Sequence, residues 1–119
     1  MRLLFDTDIL IHALNGTATE RTLELLLGEQ PLPISIVTWM EVMVGATEET
    51  ADRTRHFLSR FQVCELNAAV AEQAVIYRRQ LRLKLPDAII YATARSLDRT
   101  LVTLNVRDFP NGTESVLIP

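Results

Sequence analysis

Leu3-Leu4-Phe5-Asp6-Thr7-Asp8-Ile9-Leu10 decides the fold. Its first three residues form a short apolar run with β character, closed by a polar residue, which predicts a buried strand. Asp6 ends that run abruptly. The apolar pattern resumes as Ile9, Leu10, Ala13 and Leu14 at helical spacing, with Asn15-Gly16 as the stop signal. A carboxylate therefore falls at the seam between a buried strand and the first turn of a helix. In open α/β sheets that seam, at the carboxyl end of the strand, is where ligands bind. Asp6 or Asp8 can equally serve as the helix cap, since Asp is favoured there. The placement of the other acids bears on the choice.

Downstream, Thr17 to Leu27 predicts a second helix with Leu23, Leu26 and Leu27 on its apolar side and Gly28 as its end. Pro31 and Pro33 bracket a turn, and Ile34-Ser35-Ile36-Val37 is a β-branched run of strand length. Thr38-Trp39-Met40-Glu41 follows and has the form of a capping box, in which the Glu reaches back to the cap's own amide. That structural role and a functional one for Glu41 are compatible, because a capping Glu already sits at a strand-to-helix seam. A charged helix is expected over 48–60, then a weaker strand from Phe61 to Leu66, then a long helix capped by Asn67 and running to about Leu83. Val70, Ala71, Ala74, Val75 and Leu81 form its buried stripe.

Leu85-Pro86-Asp87 restarts the chain, with Pro at the first helical position and Asp suited to the positive end of the helix dipole. The following Ala88-Ile89-Ile90-Tyr91-Ala92-Thr93-Ala94 is apolar almost all round, so that helix is expected to be buried on most sides. An acid at the mouth of such a helix is costly without compensation. Leu101 to Leu104 predicts a fourth strand with Asn105 just beyond it, then Asp108 and Phe109, a loop at Pro110-Asn111-Gly112, and a short last strand at Val116-Leu117-Ile118.

Strands alternating with helices imply a mostly parallel sheet covered on both faces. In that architecture Asp6, Glu41 and Asn105 each follow a strand's carboxyl end, and Asp87 opens a helix whose amino end lies at the same edge. Acids gathered on one rim without a matching Lys or Arg suit a hard cation, Mg²⁺ or Mn²⁺, held by oxygen ligands. Such an ion activates water and neutralises charge on a phosphodiester.

Composition narrows the alternatives. The 119 residues are expected to form one domain spanning 1–119, and no apolar run reaches membrane length. The acids at Asp6 and Asp8 interrupt what would be a signal segment, so export is not expected and the cytoplasm is the default. Cys64 is the only cysteine, which excludes an internal disulfide and a Cys-rich metal cage. His12 and His56 stand without partners at ligand spacing, so neither supports zinc. A net charge of −3 argues against coating nucleic acid through bulk charge. Arg78, Arg79, Arg82 and Lys84 nevertheless fall in one segment. They are read either as a substrate-backbone contact, with Arg78 and Arg82 as its substrate-binding residues, or as a solvated helix face.

The stretches around Asp6, Thr38 to Val42, Leu85 to Ala94 and Leu101 to Phe109 together resemble the PIN-domain ribonucleases, specifically the VapC type of toxin–antitoxin systems. The resemblance covers essentially the whole chain. It implies a PIN-like three-layer α/β/α sandwich with a central, mostly parallel sheet of four to five strands. It implies metal-dependent endoribonuclease activity on RNA, inhibition by a cognate antitoxin protein, and homodimers within a larger toxin–antitoxin assembly. Asp6, Glu41 and Asp87 match the acidic ligands, Asn105 matches a fourth catalytic position, and Asp108 is its substitute as a metal ligand. Thr7 and Thr103 are read either as orienting metal-bound water or a carboxylate through their hydroxyls, or as strand-end packing.

Two rivals remain. Asp6-Thr7-Asp8 can be read as the opening of a haloacid-dehalogenase-like phosphatase with Asp6 as nucleophile, but Leu10 stands where that motif carries Thr or Val. A catalytically weak, partner-binding domain that has kept the fold is the other, since fold does not fix function.

Overall fold

The computed structural model describes residues 2–28, 30–110 and 112–119. Its elements run β1 (Leu3–Phe5), α1 (Thr7–Asn15), α2 (Glu20–Gly28), β2 (Leu32–Ser35), α3 (Ile36–Val44), α4 (Ala51–Leu58), β3 (Phe61–Cys64), α5 (Ala68–Leu81), α6 (Leu85–Ser96), β4 (Thr100–Val102) and β5 (Val116–Leu117). All the pairings are parallel. β1 pairs with β4 and β4 with β5, while β2 pairs with β3 as a separate ladder. β2 lies beside β1. Pro33, buried within β2, has no N–H to give to a neighbouring strand, which suits a position where a ladder is interrupted.

The period of two along the strands separates two cores. Leu3, Phe5 and Val102 face a cluster with Ile9, Leu10, Leu26, Val42 and Leu58 from α1 to α4. Leu4 and Leu101 face the other, built with Val70, Ala74, Ala88, Ile90 and Phe109. Helices thus cover both faces, giving the expected three layers. α6 accounts for much of the second core: Ala88, Ile90, Tyr91, Ala92, Thr93 and Ala94 are all buried. No helix among the described residues is long and apolar enough to cross a membrane.

Several local expectations are corrected. β2 begins and ends earlier than the β-branched run suggested, and α3 starts at Ile36. The cap of α3 is Ser35, whose hydroxyl accepts from the Val37 amide at 3.1 Å. The Thr38–Glu41 capping box therefore does not form. Thr38 is buried inside α3, and Glu41 belongs to that helix's second turn. In α2 the buried positions are Thr22 and Leu26, four apart, which turns Leu23 (42% exposed) and Leu27 (76%) away from the core. Val75 and Leu81 are likewise exposed on α5. α4 starts at Ala51, three residues later than Glu48, and β4 stops at Val102. Asn67 caps α5 as expected, its Oδ1 accepting from the Val70 amide at 2.9 Å. Gly16 ends α1 in the left-handed region at φ 73°, where glycine has no Cβ penalty. In the loop expected over 110–112, Asn111 lies outside the described residues.

Candidate active site

Asp6 leaves β1 with its backbone still in the sheet, its amide donating to the Val102 carbonyl at 2.9 Å. Its side chain then caps α1, Oδ1 accepting from the Thr7 amide at 2.8 Å. The cap expected of Asp6 therefore forms. Its other oxygen, Oδ2, accepts from the Thr103 hydroxyl at 2.7 Å, and that hydroxyl accepts in turn from the Asn105 amide at 3.0 Å. Asp6 is only 5% exposed and Thr103 is fully buried.

Glu41 is exposed and reaches across from α3, where its Oε1 accepts from the Thr7 hydroxyl at 2.7 Å. The Thr7 and Thr38 hydroxyl oxygens are 3.2 Å apart, so α1 and α3 meet through a short chain of hydroxyls beneath Glu41. Asp87 stands in the first turn of α6. Asn105 and Asp108 bond each other twice: the Asn105 amide nitrogen Nδ2 donates to Asp108 Oδ2 at 2.9 Å, and the Asp108 backbone N–H donates to Asn105 Oδ1 at 3.2 Å.

These elements enclose an open cavity of about 340 Å³ lined by Asp6, Thr7, Asp8, Ile11, Glu41, Asp87 and Asn105. Asp6, Glu41, Asp87 and Asn105 are thus brought together. Asp108 reaches the site through Asn105, whereas Arg78 and Arg82 are exposed and stand outside the lining. A larger cavity of about 730 Å³ opens at the opposite edge, by Arg2, Glu24 and Arg99, where no rim acid lies. Asp8 is the lining acid that the sequence left as a helix cap. Its Oδ1 does accept from the Ile9 amide at 2.8 Å, but it also faces the cavity. A second acid two residues after the capping Asp6 was the signal available for it.

The electrostatics are those of carboxylates short of positive charge. Burial, reinforced by the charges of Asp8 and Asp87, pushes the Asp6 carboxyl up from 3.8 to about 7, against the hydrogen bonds from Thr103 and Thr7. Asp8 is raised by burial, opposed by backbone N–H groups and the His12 charge. Asp87 is raised by burial and then by the charges of Asp108 and Glu41, with Lys84 opposing. Among the described residues the ion pairs are Arg55–Asp52 and Arg95–Glu114, and neither includes a rim acid.

The oxygens on this rim suit a hard divalent cation. Yet no three acidic, histidine or cysteine side chains among the described residues converge closely enough to enclose one alone. An open cavity with one or two direct carboxylates and room for water matches Mg²⁺, which keeps several waters when bound.

Fold and site define an α/β/α sandwich with a carboxylate-lined cleft where the strands end. Residues 3–111 match the PIN domain family, and the chain belongs to it. It is 32% identical over 114 residues to Ribonuclease VapC10 of Mycobacterium tuberculosis, a match covering 91% of this chain and 86% of that protein. In a toxin–antitoxin complex from Klebsiella pneumoniae, a chain 40% identical in sequence superposes with a TM-score of 0.87, covering 98% of this chain and 97% of that one. FitAcB from Neisseria gonorrhoeae, at 19% identity and a TM-score of 0.80 over 98% of this chain and 97% of its own, shares the fold.

Proposed function

We propose that this protein is a divalent-metal-dependent endoribonuclease, the toxin of a toxin–antitoxin pair. The observation that carries the reading is the cavity that gathers Asp6, Asp8, Glu41 and Asp87 with no basic side chain in its lining. The likeness to Ribonuclease VapC10 and to a chain of the Klebsiella toxin–antitoxin complex supports RNA as substrate and a cognate antitoxin as partner. Residues 1–119 act as one PIN domain in the cytoplasm, as a homodimer that joins a higher assembly with the antitoxin.

Asp6, Glu41 and Asp87 would hold Mg²⁺ or Mn²⁺, one or two of them directly and the rest through water, with the Asn105–Asp108 pair at the fourth position. A divalent ion bound there supplies Lewis acidity and charge neutralisation at the scissile phosphate. Thr103 fixes the Asp6 carboxylate, and Thr7 fixes that of Glu41. Arg78 and Arg82 contact the RNA backbone outside the cavity. The purified, antitoxin-free protein should cleave RNA with Mg²⁺ or Mn²⁺, lose that activity in EDTA, and lose it in Asp6→Ala. Cleavage that survives EDTA or the Asp6 variant would remove the mechanism. RNA left intact by the wild type with metal would favour a partner-binding domain.

A further inference from the structure

We infer that Lys84 is a substrate-contacting residue, its ammonium binding a backbone phosphate of single-stranded RNA at the mouth of the acidic cavity. The inference rests on the ribonuclease reading and adds to it a specific cation that the cavity lining lacks.

The first observation is that Lys84 sits against local preference. It is the N-cap residue of α6, with extended backbone (φ −64°, ψ 150°) and no side-chain capping bond. Ser, Thr, Asp and Asn are favoured at that position, and a cation at the amino end of a helix opposes the dipole. A residue that breaks a local rule without a local compensation points to a functional demand.

The second is its placement. Lys84 caps α6 and Asp87 stands in that helix's first turn, so the two residues lie within one turn of each other. Asp87 lines the cavity, so the lysine stands at the cavity's edge. Even so, it forms no ion pair among the described residues, and it is exposed. A solvated ammonium beside a cluster of carboxylates is free to meet an incoming anion.

The third is need. The lining of the cavity contains acids, Thr7, Ile11 and Asn105, and no cation of its own. A polyanion approaching it meets repulsion except where a bound ion or a flanking base offsets it. Lysine suits this as a compact point charge on a flexible stem. It is also the chain's only lysine, beside eleven arginines.

That singularity makes the test direct. The probe is a fluorescent 2′-O-methyl RNA 12-mer pool of random sequence, checked by gel to be intact at the end of each titration. Binding is followed by anisotropy across a salt series with Mg²⁺ present. Lys84→Gln should reduce the slope of log K against log salt by about 0.7, the amount expected for one single-strand phosphate contact. Arg2→Gln, preceding β1 at the opposite edge of the sheet, should leave the slope unchanged, and Lys84→Arg should restore most of it. Reductive methylation of the wild type, read by mass spectrometry at this one lysine, should slow when the RNA is bound. An unchanged slope in Lys84→Gln, or equal labelling with and without RNA, overturns the inference while wild-type binding leaves the ribonuclease reading standing. A wild type that neither binds nor cleaves RNA overturns both.

Discussion

The Thr103 hydroxyl donates to Asp6 Oδ2 at 2.7 Å across 97 residues of chain. The bond joins the end of β4 to the end of β1 at the point where the buried acid enters the cavity. Because the same hydroxyl accepts the Asn105 amide, one side chain fixes the orientation of Asp6 and the start of the Asn105–Asp108 turn. Thr103→Val keeps the shape and deletes both bonds, leaving a buried carboxylate oxygen and a backbone N–H without partners. A loss of about 1–3 kcal/mol is expected. Denaturant melts should show it, with Thr103→Ser close to wild type; a Val variant as stable as wild type would mean the bond contributes nothing.

Asp6 makes the metal-free protein sensitive to pH in a definite direction. Its folded-state pKa of about 7 lies above the ordinary 3.8, so the folded chain binds that proton more tightly than the unfolded one. The associated stability is fully present below about pH 4 and is lost as pH rises toward 7. Asp8 and Asp87, also raised, act in the same sense. In EDTA, the wild type should therefore melt lower at pH 7.5 than at pH 5. Asp6→Asn should melt higher than wild type at pH 7.5, with a smaller difference between the two pH values. Its amide can accept from the Thr7 N–H and donate to the Thr103 hydroxyl, so the fold is retained. A variant less stable than wild type at pH 7.5 would contradict the desolvation argument.

Thr7 separates positioning from stability. Its hydroxyl holds Glu41 Oε1 at 2.7 Å, but Glu41 is exposed, so the bond contributes at most about 1 kcal/mol to folding. Thr7→Val should melt within that margin of wild type while cleaving RNA at least several-fold more slowly, and Thr7→Ser should recover most of the rate. Equal rates in Val and wild type would show that Glu41 needs no such support.

The candidate site was legible where a carboxylate interrupts an apolar pattern, as Asp6 does after Leu3-Leu4-Phe5 and Asp87 does before a helix apolar almost all round. Glu41 was found through a motif whose local reading was wrong. Ser35, hidden within a β-branched run, is the true cap, because one hydroxyl in extended backbone can end a strand as well as Thr38 can. Asp8 was missed because an acid in a first turn looks the same whether it caps or faces a cleft. The outward turn of Leu23 and Leu27 was not legible either. It depends on Thr22, whose hydroxyl takes a bond from Thr19 at 3.0 Å and so tolerates burial, a contact that apolar spacing does not encode.

Phe109 ties the Asn105–Asp108 turn to the core. It is fully buried, its ring centroid 5.6 Å from that of Tyr91, and its amide donates to the Asn105 carbonyl at 3.0 Å. Phe109→Ala should cost about 3–5 kcal/mol, as truncation of a buried aromatic does. The milder Phe109→Leu should remain folded yet bind Mn²⁺ more weakly than wild type by calorimetry, because the turn carrying Asp108 loses its anchor. Wild-type affinity in the Leu variant would detach the turn from the metal site.

Repulsion and ligation make opposite demands on Asp87, which allows the metal reading to be tested by sign. Without metal, burial and then the charges of Asp108 and Glu41 oppose ionisation of its carboxyl, so Asp87→Asn should melt at the wild-type temperature or above in EDTA at neutral pH. With Mg²⁺ or Mn²⁺ added, binding to the folded state stabilises the wild type by RT ln(1 + [L]/Kd), about 2.7 kcal/mol at a hundredfold excess over Kd. The variant, one oxygen donor short, should gain much less, so the order of the two melting temperatures reverses or closes as metal is added. Parallel titration curves for the two proteins would place the ion elsewhere. A variant destabilised in EDTA would show that Asp87 serves the helix rather than the rim.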